Sequence, residues 1–143
     1  MMSPALNRFL DAQDDTCEIA MEEIRNGRKD SHWMWFIFPQ IAGLGQSSIS
    51  KRYAIADLRE AAEYLAHPVL GSRLRECTAA VVDRPESLTD IFGSPDNLKF
   101  RSCMTLFATA SPRDSIFHRA LREKCNNTPD PATLHILHAK RRL

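Results

Sequence analysis

Apolar residues recur at helical spacing along most of the chain. Leu6, Leu10, Cys17, Ala20 and Ile24, with Gln13 among them, fall on one helical face. Ser3 can cap this stretch and Pro4 fits the first helical position. Asp14-Asp15 is expected to break it into two helices, with Asp15 or Thr16 capping the second and Gly27 stopping it. Tyr53, Ala54, Leu58, Ala61, Ala62 and Leu65 predict a helix from Ile49 to Ala66. His67-Pro68 interrupts it, because a residue before proline resists helical dihedrals. Pro68 then opens a helix carrying Leu70, Leu74, Cys77, Thr78 and Val81, ended by Pro85. Ser87 to Gly93 reads as a short capped helix. Ser94-Pro95-Asp96 predicts a helix start, with the helix running through Leu98, Cys103, Met104 and Phe107 to Thr109. Pro112 to Lys124 predicts another, with Ile116, Phe117, Ala120 and Leu121 inward. Asp130-Pro131 opens a last helix, whose Arg-Arg-Leu end is expected to fray. There is no repeat, linker or alternating strand pattern. The chain therefore predicts an all-α fold, a single compact multihelical domain over residues 1–143 with about seven helices.

One segment breaks the amphipathic pattern. Ser-His-Trp-Met-Trp-Phe-Ile-Phe-Pro-Gln-Ile-Ala-Gly-Leu-Gly, residues 31–45, holds both tryptophans of the chain and two of its seven phenylalanines. His32 to Phe38 is too apolar all round for a surface helix, so it is one buried helical turn or a short strand, closed by Pro39. Gly43, Gly45 and Ser47-Ser48 form a loop able to approach a ligand closely, since glycine lacks a Cβ. The segment has the composition of a site floor, and it names no reaction.

Composition narrows the function classes. The chain has 143 residues, 43% of them hydrophobic and 26% charged, enough to bury a core without staples. A net charge of +1 gives no electrostatic basis for nucleic-acid or membrane binding, and neither is expected as a partner. Arginine outnumbers lysine fourteen to five, which reads as compositional bias rather than as a phosphate-binding signal. Cys17, Cys77, Cys103 and Cys125 are widely spaced, without C-x-x-C, which argues against zinc and against a disulfide scaffold. The first residues lack a signal-peptide pattern, and no apolar stretch approaches bilayer length. A reducing cytoplasm with free thiols is the expected home. No cofactor is implied.

The block His32-Trp33-Met34-Trp35-Phe36-Ile37-Phe38-Pro39-Gln40, followed by Gly43-Leu44-Gly45, resembles a bacterial family called domain of unknown function 1810. Ser47, Ser50, Tyr53-Ala54-Ile55, His67-Pro68, Leu70-Gly71, Arg73-Leu74, Asp96, Lys99, Met104 to Phe107, Asp130 and Thr133-Leu134 extend the match over nearly the whole chain. The resemblance implies a multihelical all-α fold. It implies no established activity, substrate or catalytic residue. Members are sometimes labelled calpastatin, yet an extended inhibitor of short binding segments would lack the hydrophobic content and caps found here. The family more usually has serine at the position of Cys103.

Several residues could carry chemistry. His32, beside Trp33 and near Gln40, is a candidate acid/base or ligand donor; otherwise its ring braces a loop. Trp33, Trp35, Phe36 and Phe38 could stack on a flat ligand, although core is the better reading for the phenylalanines. Alternation would turn the two tryptophans one way and the two phenylalanines the other. Gly43-Leu44-Gly45-Gln46-Ser47-Ser48, with Ser50, Lys51, Arg52 and Tyr53 after it, is either an anion edge or a tight turn, and matches no phosphate-loop fingerprint. Asp96, Lys99, Ser102 and Thr105 form a polar stripe on a helix expected to be central, so they either face the aromatic floor or lie in solvent with one ion pair. His118, His135 and His138 do not have metal-ligand spacing. Cys103 has no identifiable base and reads as a buried thiol.

Two functions fit. In the first, His32, Trp33, Trp35 and Gln40 form one wall of a small-molecule site. Gly43, Gly45, Ser47, Ser50 and Tyr53 form an anion edge, and Lys99, Ser102 and Thr105 the opposite wall. The ligand would be flat and anionic, nucleotide-derived for instance. If the site is catalytic, hydrolysis or transfer at a glycosidic or phosphate bond suits His32 or Asp96 as acid/base. In the second, the chain is a non-catalytic interaction module or homodimer, with the aromatic block as core and interface.

Overall fold

The computed structural model describes residues 4–141, with the backbone alone at Arg141. The Ser3 cap and the extreme C-terminus lie outside the described residues. A 3₁₀ turn at Pro4–Leu6 leads into α1 (Asn7–Gln13) and α2 (Cys17–Arg25). The aromatic block holds α3 (Met34–Ile37), and α4 (Ser48–Arg52) follows the glycine loop. Then come α5 (Leu58–Ala66), α6 (Leu70–Val82), α7 (Leu88–Phe92), α8 (Asp96–Thr109), α9 (Ile116–Lys124) and α10 (Pro131–Arg141). Seven of these ten helices have seven residues or more. Among the described residues the one β pairing is an isolated parallel bridge between Ile41 and Ile55.

α8 is the axis of the molecule. Phe100 and every residue from Ser102 to Ala108 are buried, so nearly its whole circumference is covered. It packs against α5, α7, α9 and α10, while α6 packs against α2, α5 and α9. The buried apolar side chains form one contiguous cluster, to which α3 contributes Met34 and Ile37. The α5–α6 corner depends on Gly71, where a Cβ would stand 2.1 Å from the Leu65 carbonyl oxygen. His67 starts α6, its Nδ1 accepting hydrogen bonds from the amides of Val69 and Leu70 at 3.1 and 3.2 Å.

The structure departs from the sequence reading at four places. The stretch from Ile49 to Ala66 is two helices. Ile55 donates its N–H to Gln40 and accepts from Ala42, both at 2.8 Å, so neither group is free for a helix. Asp57 restarts the chain by accepting from the Glu60 amide at 2.9 Å. Ser94 does not cap α8, because Pro95 itself occupies the boundary position and no side chain caps the helix. Pro112 does not start α9: Asp114 takes φ +65°, outside any right-handed helix, and Ser115 is the cap. The aromatic block makes one helical turn at Met34–Ile37, with Trp33 and Phe38 as its non-helical flanks, so facing does not alternate. Trp33 and Phe38 are buried together, while Trp35 and Phe36 are half-buried.

Candidate functional site

The aromatic block is fixed from both ends. At its start, the Glu23 carboxylate on α2 gathers four donors. Oε1 accepts from the amides of Asp30 and Ser31 at 2.8 and 2.9 Å and from Trp33 Nε1 at 2.9 Å. Oε2 accepts from the Ser31 hydroxyl at 2.6 Å. Burial alone would raise the Glu23 carboxyl, but these donors together bring it down to about 2. At the other end, buried Gln13 donates from Nε2 to the Phe36 carbonyl at 2.8 Å and to the Tyr64 hydroxyl at 3.0 Å. Trp33 is 1% exposed and lies edge-on to Phe92, with ring centroids 6.3 Å apart. It is therefore a wall of the core, with its indole N–H already committed.

The start of α8 meets this block. Asp96 Oδ2 pairs with Lys29 Nζ at 2.9 Å and its Oδ1 with Lys99 Nζ at 3.0 Å. Lys99 Nζ also stands 4.4 Å from the centre of the Trp35 ring, and Lys29 Nζ lies 5.2 Å from that of Trp33. Partial burial would raise the Asp96 carboxyl, and the two ammonium groups outweigh it and hold it below the ordinary range. Asp96 is thus ionised at neutral pH and acts as a shared counter-ion. Trp35 is half-buried, and its Nε1–H has no acceptor among the described residues. A Cβ on Gly45 would come 3.5 Å from the far edge of its ring, so the glycine loop borders the same indole.

The second half of the polar stripe is spent differently. The Ser102 hydroxyl donates to Asp130 Oδ2 at 2.8 Å, with Leu98 O the alternative acceptor at 3.1 Å. The Thr105 hydroxyl donates to Arg101 O and accepts from the Asp130 amide, both at 2.8 Å. Asp130 Oδ2 also takes the Thr133 hydroxyl at 2.6 Å, so this cluster joins the first turn of α10 to α8. Ser102 and Thr105 are 7% and 1% exposed. The remaining candidates are scattered. Ser47 caps α4, its Oγ accepting from the Ser50 amide at 3.1 Å, while buried Ser50 donates back to the Ser47 carbonyl. Gly43 takes φ +107°, with Ile136 near its α-carbon. Tyr53 stacks edge-on against Phe36, with centroids 4.7 Å apart. Gln40 is 6% exposed and its Nε2 has no partner among the described residues. His32 is exposed, with no hydrogen-bond partner among the described residues.

What the structure brings together is Trp35, Lys99, Asp96 and the edge of Gly45. Sequence reasoning missed Lys29, the second ammonium on Asp96. It lies in a short charged loop whose amide is pinned to the Ile91 carbonyl at 2.6 Å, and no local pattern marks it. Glu23 was equally silent, being one acid among several on α2. Elsewhere, a cleft of about 460 Å³ opens between the residues before α7, the first turns of α8 and the end of α9. The four cysteines are free thiols, and burial pushes Cys103 well up. Among the described residues, no three His, Cys, Asp or Glu side chains gather where they could hold a metal ion. Likewise, no helix among them is long and apolar enough to cross a membrane.

Comparisons with known proteins agree with this architecture. A crystal structure of the conserved hypothetical protein Rv1873 from Mycobacterium tuberculosis is 45% identical and superposes with a TM-score of 0.91. The match covers 93% of this chain and 96% of that one. Among curated proteins none matches. The family model described as "Protein of unknown function (DUF1810)" matches residues 3–137, and the chain belongs to that family.

Proposed function

We propose that this chain binds a small, flat, anionic ligand at the junction of Trp35 and the start of α8. The observation that carries this reading is the Lys99 ammonium held 4.4 Å over a half-buried indole. Two ammonium groups share one carboxylate there, which leaves a net positive charge beside an aromatic face. A planar anion can lie along the Trp35 ring edge and pair with Lys99, and the unpaired indole N–H supplies a further donor. His32 is exposed one residue before Trp33, and Gly45 borders the Trp35 ring. Asp96 keeps the two lysines in place; being ionised, it is a counter-ion rather than a proton donor. The reading is therefore of binding, with no catalytic step assigned.

A thermal-shift screen against nucleotides and sugar phosphates tests it. Ligand binding to the folded state raises the melting temperature, by about 2.7 kcal/mol of stabilisation at a hundredfold excess over Kd. Lys99→Ala and Trp35→Ala should each abolish a hit. A hit that survives both variants places the ligand elsewhere and overturns the reading.

A further inference from the structure

The cleft of about 460 Å³ beside α8 carries an inference independent of Trp35. Its walls come from Pro85–Thr89, from Asn97, Leu98 and Arg101 on α8, and from Glu123 to Asn126. Charge is unbalanced there. Glu86 is already paired with Arg84 at 2.7 Å and Glu123 with Arg119 at 2.5 Å. Lys124 donates to the carbonyls of Arg84 and Glu86 and forms no ion pair with a carboxylate among the described residues, although its charge reaches that of Glu86. The Arg101 guanidinium has no acceptor at all among them. Its Nε is shut off from solvent without a partner, and the residue lines the cleft wall.

Arg101 has an orphaned neighbour one turn earlier. Asn97 donates from Nδ2 to Thr89 Oγ1 at 3.2 Å, but its Oδ1 is buried and accepts nothing. A buried donor and a buried acceptor left open on adjacent turns are rare in folded proteins, where almost every such atom finds a partner. Thr89, having accepted from Asn97, keeps its own hydroxyl proton to donate. Cys125 closes the floor. Burial pushes its thiol up to about 11, so it stays neutral and does not repel an anion.

We propose that this cleft binds a small organic oxyanion bearing a hydroxyl group, a hydroxy acid or a sugar phosphate, anchored on the Arg101 guanidinium. The planar fork of arginine matches the oxygens of a carboxylate or phosphate. A turn of the Asn97 side chain, whose Oδ1 is closed to solvent as it stands, lets it accept the ligand hydroxyl, and Lys124 adds charge at the far wall.

Titration of ¹⁵N-labelled full chain with sodium phosphate and, separately, sodium lactate tests this, with sodium chloride at matched ionic strength as control. The readouts are the Arg101 Nε–Hε resonance, the Asn97 side-chain amide and the Cys125 backbone amide. Saturating shifts at these groups with either oxyanion are expected, and the tighter of the two identifies phosphate or carboxylate as the anchor chemistry. Arg101→Lys keeps the charge but loses the fork, and should weaken binding about tenfold. Equal shifts with chloride, no saturation with either oxyanion, unchanged affinity in Arg101→Lys, or shifts confined to Trp35 and Lys99 would each overturn the proposal. If the variant does not fold, the wild-type titration alone decides.

Discussion

Trp33 and Trp35 sit two residues apart at one helical turn and live in opposite surroundings. Trp33 is sealed among Phe38 and Phe92, with its N–H bonded to Glu23. Trp35 lies half open, its N–H unclaimed and its face covered by a lysine. The difference arises where the chain enters α3: Trp33 is the non-helical residue just before the helix, at φ −137°, while Trp35 lies within it. It separates an indole sealed in the core from one that keeps part of its ring exposed. An aromatic cluster in a sequence is therefore not one feature. Here it is a wall and a window at the same turn.

That contrast can be broken, and the largest effect is expected at the wall. Trp33→Ala should cost about 3–5 kcal/mol in urea denaturation, because it empties a fully packed site and removes one of the four donors on Glu23. Trp35→Ala should cost no more than about 1 kcal/mol, as for a half-exposed position. Equal losses would show that both indoles are structural.

Glu23→Gln comes next. The amide keeps the shape but weakens the charge-assisted bonds to Ser31 and Trp33, for an expected loss of about 1–3 kcal/mol at neutral pH. The same carboxylate predicts a pH dependence. Its folded pKa, about 2, lies below the ordinary 4.5, so its contribution is present above pH 4.5 and disappears as pH falls towards 2. The stability gap between wild type and Glu23→Gln should therefore narrow over that interval. A gap that stays constant would show that the carboxylate charge is not what holds the Trp33 loop.

The smallest effect is expected at the window. Lys99→Ala removes one partner of a partly exposed pair and should change stability by under about 1 kcal/mol. It should, however, raise acrylamide quenching of tryptophan fluorescence by uncovering Trp35. Unchanged quenching would mean that the ammonium does not shield the ring.

The sequence showed most of the helices because their signals are local. Ser87 is a cap written within four residues, and the apolar period within α5 and α6 is unbroken, whereas the Asp57 cap lay hidden inside a helical pattern that ran on from Ile49. Ile55 could not be read, since its bridge to Ile41 depends on a loop fourteen residues earlier. The site was legible only as a location. The polar stripe from Asp96 to Thr105 was visible, yet its division was not. Asp96 and Lys99 face Lys29 and Trp35, whereas Ser102 and Thr105 face Asp130, and all three partners are remote in sequence. Arg101 gave no signal because its distinction is a missing partner.

The cluster at Asp130 has a consequence for how the chain completes itself. One carboxylate both begins α10 and grips the hydroxyl of Ser102. The final eleven-residue helix cannot settle against α8 without winding its first turn, nor wind that turn in place without settling. Its ordering is thereby tied to the central helix, as a latch that is either shut or absent.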